Sequence, residues 1–144
     1  MLKFIITAFA LISISGCSVI QPMIDRFTIA PFDSNEYALV NKVRTVAIQT
    51  KPKCGVENIA PFAVLDYVNE MHDNALLLKN YSQYIPKNDQ TIKPVNLTYQ
   101  MIDELKTRYE KESKVSKVYC ELKIQSIIDA TESIQKAIAK RPRP

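Results

Sequence analysis

The sequence has little glycine and little histidine. Its 144 residues include 2 glycines, Gly16 and Gly55, and 1 histidine, His72. Glycine-rich phosphate loops and dinucleotide fingerprints need several glycines, because their backbone adopts positive φ or approaches the ligand closely. A lone histidine likewise excludes a His-rich zinc site and a metalloprotease helix pair. The remaining composition, 47% hydrophobic and 24% charged, is typical of one modest folded domain.

The N-terminus has the pattern of a secretory signal. Lys3 precedes an apolar run from Phe4 to Ile14, which is too short to span a membrane as a mature helix. If the cysteine that follows this run, Cys17, is not modified, the segment is either an ordinary cleaved signal followed by an unrelated cysteine, or an uncleaved anchor.

The end of this run, Ile14-Ser15-Gly16-Cys17, resembles the lipobox of bacterial lipoproteins. The resemblance implies that residues 1–16 form a lipoprotein signal peptide and that Cys17 is lipidated as the mature N-terminus. Ser18 follows instead of the aspartate that usually retains such proteins in the inner membrane. The expected location is therefore the outer membrane, with the lipid as anchor and the protein facing the periplasm.

Cys54 and Cys120 are the two cysteines that remain once Cys17 carries lipid. An even pair in the oxidising periplasm predicts a disulfide, the alternative being two unrelated thiols. The bridge would close a loop of about 67 residues and stabilise the domain by about 4 kcal/mol through chain entropy.

Helical patterns follow a flexible tether that we assign to residues 17–33. Asp33 and Glu36 have capping-box spacing, and apolar residues then recur at helical intervals, which predicts a helix over 34–50. A second helix is expected from about Asn58 to Tyr84, followed by a polar loop between Pro86 and Pro94.

The third segment, from about Asn96 to residue 140, contains no proline or glycine. Its late apolar positions have heptad spacing: Cys120, Ile124, Ile127, Thr131, Ile134 and Ile138. If three helices run up, down and up, Cys120 returns to the level of Cys54. The rest of the segment then either overshoots the bundle or bends near 113–117 and folds back as a fourth helix.

These observations predict an all-α fold: a three- to four-helix antiparallel bundle over 34–140, with a long C-terminal helix, one disulfide and a basic tail at 141–144. If the last helix protrudes, four isoleucines form an exposed partner interface, in a homodimer or with another envelope protein: Ile124, Ile127, Ile134 and Ile138.

Neither a catalytic nor a metal or cofactor site is predicted. We interpret His72 as a packed residue, and the carboxylates of Asp66, Glu70 and Asp73 as a solvated helix face. Nucleic-acid binding is not expected, because the excess positive charge is confined to the tail.

The predicted function is therefore a non-enzymatic interaction or structural module of the cell envelope. In size, lipobox and heptad the chain resembles phage outer-membrane spanins, which pair with an inner-membrane partner through coiled helices. An exclusion lipoprotein that blocks a receptor would have the same general features. A cell-wall enzyme that uses two carboxylates is less favoured.

Overall fold

The computed structural model describes residues 29–55, 61–112 and 114–143. The predicted signal peptide, Cys17 and the tether up to residue 28 lie outside these ranges. Ala30 is buried, with 1% of its surface exposed. The last residues of the predicted 17–33 tether therefore pack against the domain.

The first helix, α1 (Ser34–Thr50), has the bounds that its local signals predict. Its N-cap is Asp33, whose carboxylate accepts a 2.7 Å hydrogen bond from the Glu36 backbone N–H. This bond satisfies one of the donors that the first turn of a helix leaves free. A 3-10 turn (Lys51–Lys53) follows, and Gly55, at φ 71°, redirects the chain.

The second helix, α2 (Pro61–Tyr84), ends just before Pro86, as predicted. Its predicted start near Asn58 lies outside the described residues. One face is buried, and its residues recur at intervals of three and four, which is the period of an amphipathic helix. They are Val64, Val68, Met71, Ala75 and Leu78.

The third helix, α3 (Asp89–Lys111), begins inside the stretch that the sequence pattern assigns to a loop. That prediction is wrong, because Pro94 lies within the helix and does not precede it. Burial of Thr91, Val95 and Thr98 on one face offsets the helix-breaking tendency of the proline. The Thr98 hydroxyl also donates to the Pro94 carbonyl at 2.9 Å.

The fourth helix, α4 (Lys117–Ala139), is separate from α3, so the third segment is not continuous. The backbone becomes extended at Glu112, and Ser116 caps α4 by accepting a 3.3 Å hydrogen bond from the Tyr119 N–H. The observed fold is thus the alternative in which the chain bends near 113–117 and the last helix folds back.

The four described helices form an up-down-up-down antiparallel bundle, in which each helix packs on the next and α4 also packs on α1. This confirms the predicted all-α bundle. Within the described residues, no helix combines the length and apolar character needed to cross a membrane.

The isoleucine seam of α4 faces the core of this bundle. Ile124, Ile127, Ile134 and Ile138 are each at most 1% exposed. The partner interface predicted on these four side chains is therefore wrong. Folding back places them against α1 and α3, so the bundle itself covers them.

The predicted disulfide between Cys54 and Cys120 is present, with the two Cα atoms 5.6 Å apart. It joins the chain after α1 to the first turn of α4. We call this the disulfide end of the bundle. The opposite end, where α1 begins and α4 finishes, is the basal end.

Candidate functional site

Four polar side chains are buried together at the basal end, and we call them the basal cluster. Each comes from a different segment: the first turn of α1, the turn after α2, the start of α3 and the chain after α4. Each is at most 6% exposed as a residue: Glu36, Asn88, Thr91 and Arg141.

The Arg141 guanidinium is the centre of the basal cluster. Its Nη1 donates to Glu36 Oε2 at 2.7 Å, and its Nη2 donates to Asn88 Oδ1 at 2.5 Å and to Thr91 Oγ1 at 2.7 Å. The second carboxylate oxygen, Glu36 Oε1, accepts from Asn88 Nδ2 at 2.7 Å. Asn88 Nδ2 also donates to the Ser82 carbonyl at 2.9 Å.

This geometry fits a structural role for the basal cluster. The side chains of Arg141 and Glu36 are 3% and 0% exposed, and each charge is compensated by the other. A general acid or base must reach the proton it transfers, and this carboxylate is enclosed by its partners. The assignment of Arg141 to a basic tail outside the 34–140 domain is therefore corrected: its side chain is part of the packed domain.

His72 lies between α2 and α3, and its side chain is 13% exposed. Its Nε2 is 3.3 Å from Asp103 Oδ1, and its ring centroid is 5.2 Å from that of Tyr99. No described residue makes a well-directed hydrogen bond to either ring nitrogen. The surroundings are those of a packing residue, in line with the sequence-based interpretation.

The acidic residues Asp66, Glu70 and Asp73 are exposed on α2. Within the described ranges, no three or more histidine, cysteine, aspartate or glutamate side chains are grouped so as to hold a metal ion.

The flank between α1 and α4 carries polar contacts that link the first and last helices. Arg44 Nη2 lies 3.0 Å from Glu132 Oε2, and Lys51 Nζ donates to Gln125 Oε1 at 2.5 Å. A hydrogen bond from Lys136, supported by the charges of Lys136 and Arg44, lowers the pKa of Glu132. Such exposed pairs are worth little individually.

The remaining features are exposed apolar and basic side chains. Val118 and Leu122 lie one turn apart on α4 and are 66% and 65% exposed. Tyr84, at the end of α2, is 86% exposed. Lys140 and Arg143, the other two basic residues of the C-terminal segment, are exposed.

Comparison with known proteins gives no relative: no protein family, no curated protein and no solved structure matches the chain significantly.

Proposed function

We propose that this protein is an outer-membrane lipoprotein, with Cys17 lipidated and the helical bundle held in the periplasm. The observation that carries the proposal is the division of the three cysteines. Cys54 and Cys120 form a disulfide, the bond typical of an oxidising compartment, and the third cysteine follows Ile14-Ser15-Gly16. We propose for it a structural or interaction role, which the buried, charge-compensated basal cluster supports.

Lipidation is tested by metabolic labelling with a fatty-acid analogue in the natural host. The wild-type chain should be labelled and should fractionate with the outer membrane, and Cys17→Ala should lose the label. A matched variant, Ser18→Asp, should keep the label but move to the inner membrane. An unlabelled wild-type chain, or equal labelling of Cys17→Ala, would contradict the proposal.

A protein partner at the C-terminal helix would contact its outward face. The isoleucine seam is covered by the bundle, whereas Val118 and Leu122 are exposed. Replacing both with aspartate should abolish crosslinking in intact cells without unfolding the domain, and the exposed pair Lys136→Ser and Ser133→Asp is the control. Unchanged crosslinking in the Val118 and Leu122 variant would count against this interface.

The spanin-like alternative depends on a coiled helix that extends from the domain. In the described residues the last helix, α4, instead packs back onto the bundle. A carboxylate-based cell-wall enzyme would have to use exposed acids such as Glu70 and Asp73. Substituting both with glutamine should leave peptidoglycan turnover unchanged. A loss of turnover with intact folding would favour the enzyme.

A further inference from the structure

The N-terminal segment joins the bundle at its basal end. The Ala30 N–H donates to the Lys87 carbonyl at 3.1 Å, and the Phe32 N–H donates to the Pro142 carbonyl at 2.8 Å. Residues 30–32 therefore lie between the turn after α2 and the chain that follows α4. These three segments form one continuous surface at the end of the bundle.

This basal surface carries exposed positive charge. Lys87 lies in the turn, and Lys140 and Arg143 lie in the chain after α4, with the Arg143 guanidinium 5.7 Å from the Phe32 ring centroid. Glu36 and Arg141, which lie beneath the surface, cancel each other. The nearby carboxylates are those of Asp33, which accepts from the Tyr81 hydroxyl at 3.2 Å, and of the exposed Asp89.

An additional lysine and a tyrosine complete the surface. Three exposed cations (Lys87, Lys140 and Arg143) and two carboxylates (Asp33 and Asp89) thus lie at the basal end within the described residues, and Lys93 is exposed one turn further along α3. Tyr84 is 86% exposed at the end of α2. Tyrosine has an apolar ring with a polar tip, and it is enriched where membranes meet water.

Lys87 has a backbone conformation that is unusual for lysine. Its φ of 62° lies in the left-handed region, which glycine and asparagine adopt more readily. Residues held in such conformations are often found at functional sites. A charged lysine occupies a position that glycine or asparagine would occupy with less strain, which points to a role for that charge.

We infer that the basal surface faces the membrane and that Lys87, Lys140 and Arg143 bind the anionic headgroups of its phospholipids, with Tyr84 at headgroup level. This inference rests on the proposed lipidation of Cys17. From Cys17 to Ile29 the chain can reach about 40 Å at most, and the bundle is roughly 35 Å long. Because the tether joins the bundle at the basal end, that end reaches the membrane easily, whereas the disulfide end reaches it only with the tether almost fully extended. A tether of this length gives a millimolar effective concentration, so a weak headgroup affinity is enough to orient the domain.

The test uses the mature chain, residues 17–144, with Cys17→Ser and an intact disulfide. Flotation should show binding to vesicles of phosphatidylcholine mixed with phosphatidylglycerol, weakening as salt is added, and no binding to pure phosphatidylcholine. Each basic residue near an anionic surface is worth about fivefold in partitioning. The triple variant Lys87→Gln, Lys140→Gln and Arg143→Gln should therefore bind about a hundredfold more weakly.

The matched control is Lys42→Gln, Lys111→Gln and Lys114→Gln, which removes the same charge from exposed positions away from the basal surface. This control should lose much less binding than the basal triple variant. An equal loss of binding in the two triple variants would mean that binding depends only on the net charge of the protein, and would overturn the inference. Absence of binding to the anionic vesicles at millimolar lipid, which matches the effective concentration that the tether provides, would overturn it as well.

Lys87→Gly separates stability from binding. Because glycine adopts positive φ without strain, the urea midpoint should stay the same or rise, while binding falls about fivefold. Unchanged binding of this variant would show that the Lys87 side chain does not bind headgroups. Since the assayed chain carries no lipid, its failure to bind would contradict the membrane-facing surface alone, and Cys17 lipidation keeps its own labelling test.

Discussion

Arg141→Met is the substitution that tests the basal cluster most directly. Methionine keeps an unbranched apolar stem but removes the guanidinium, which donates to Glu36 Oε2, Asn88 Oδ1 and Thr91 Oγ1. The variant therefore leaves the Glu36 carboxylate, 0% exposed, without its counter-ion. Two neutral acceptors also lose a donor.

The expected cost follows from burial. Removing one partner of a buried ion pair typically lowers the free energy of unfolding by about 3–5 kcal/mol, a large share of the roughly 5–15 kcal/mol of a small domain. Adding Glu36→Gln removes the uncompensated charge while keeping an acceptor for Asn88. The double variant should therefore be more stable than Arg141→Met by about 1–2 kcal/mol.

The assay is urea unfolding followed by circular dichroism, with the disulfide intact. Arg143→Met is the control, because Arg143 is exposed and should change stability by less than about 0.5 kcal/mol. If Arg141→Met costs less than about 1 kcal/mol, or if Glu36→Gln gives no rescue, the basal cluster is not a coupled ion pair.

Three further variants test other parts of the bundle. Replacing Cys54 and Cys120, which are separated by 66 positions, with alanine should lower the free energy of unfolding by about 4 kcal/mol in urea titrations; a loss below about 1 kcal/mol would contradict the chain-entropy argument. Gly55→Ala should lower the melting temperature, because Gly55 has φ 71° and an added Cβ would lie 2.4 Å from Lys117 Cβ; an unchanged melting temperature would show that the turn can shift. Burial raises the pKa of Tyr109 above 10.0, so its contribution to stability is complete below pH 10.0 and is lost as pH rises through the folded-state pKa. Tyr109→Phe should reduce this alkaline loss in unfolding measurements, and an identical loss in both proteins would refute the assignment.

Local signals were enough to predict α1 and the end of α2. The Asp33 cap defines the start of α1, and Pro86 lies just beyond the end of α2. The helical period also identified the buried isoleucines of α4 as one face. What it could not determine is whether another chain or the same chain covers that face, because both arrangements bury the same residues.

The start of α3 and the basal cluster could not be predicted in the same way. Proline has a very low helix propensity, so the sequence predicts that a helix does not continue through Pro94. The packing of the surrounding residues in the bundle explains why α3 does continue through it. Glu36 has the spacing of a capping-box residue, but only its backbone N–H contacts Asp33, and its carboxylate pairs with Arg141, 105 positions away. A polar residue in register with the buried Val40 and Val43 is the one sequence signal for that burial.

Two links hold α1 beside α4, a disulfide at one end of the bundle and an ion pair at the other. The disulfide acts mainly on the unfolded chain, and the ion pair acts only on the folded chain. Every other neighbouring pair of helices is joined by a connecting segment, whereas α1 and α4 are neighbours only through the fold. At the disulfide end, Cys54 and Cys120 stay linked when the domain unfolds, so this bridge limits the unfolded ensemble. At the basal end, Glu36 and Arg141 meet only in the folded state, so this pair determines how firmly the chain after α4 is held. A local opening that releases Arg141 can therefore occur at the basal end while the disulfide still holds α4 beside α1.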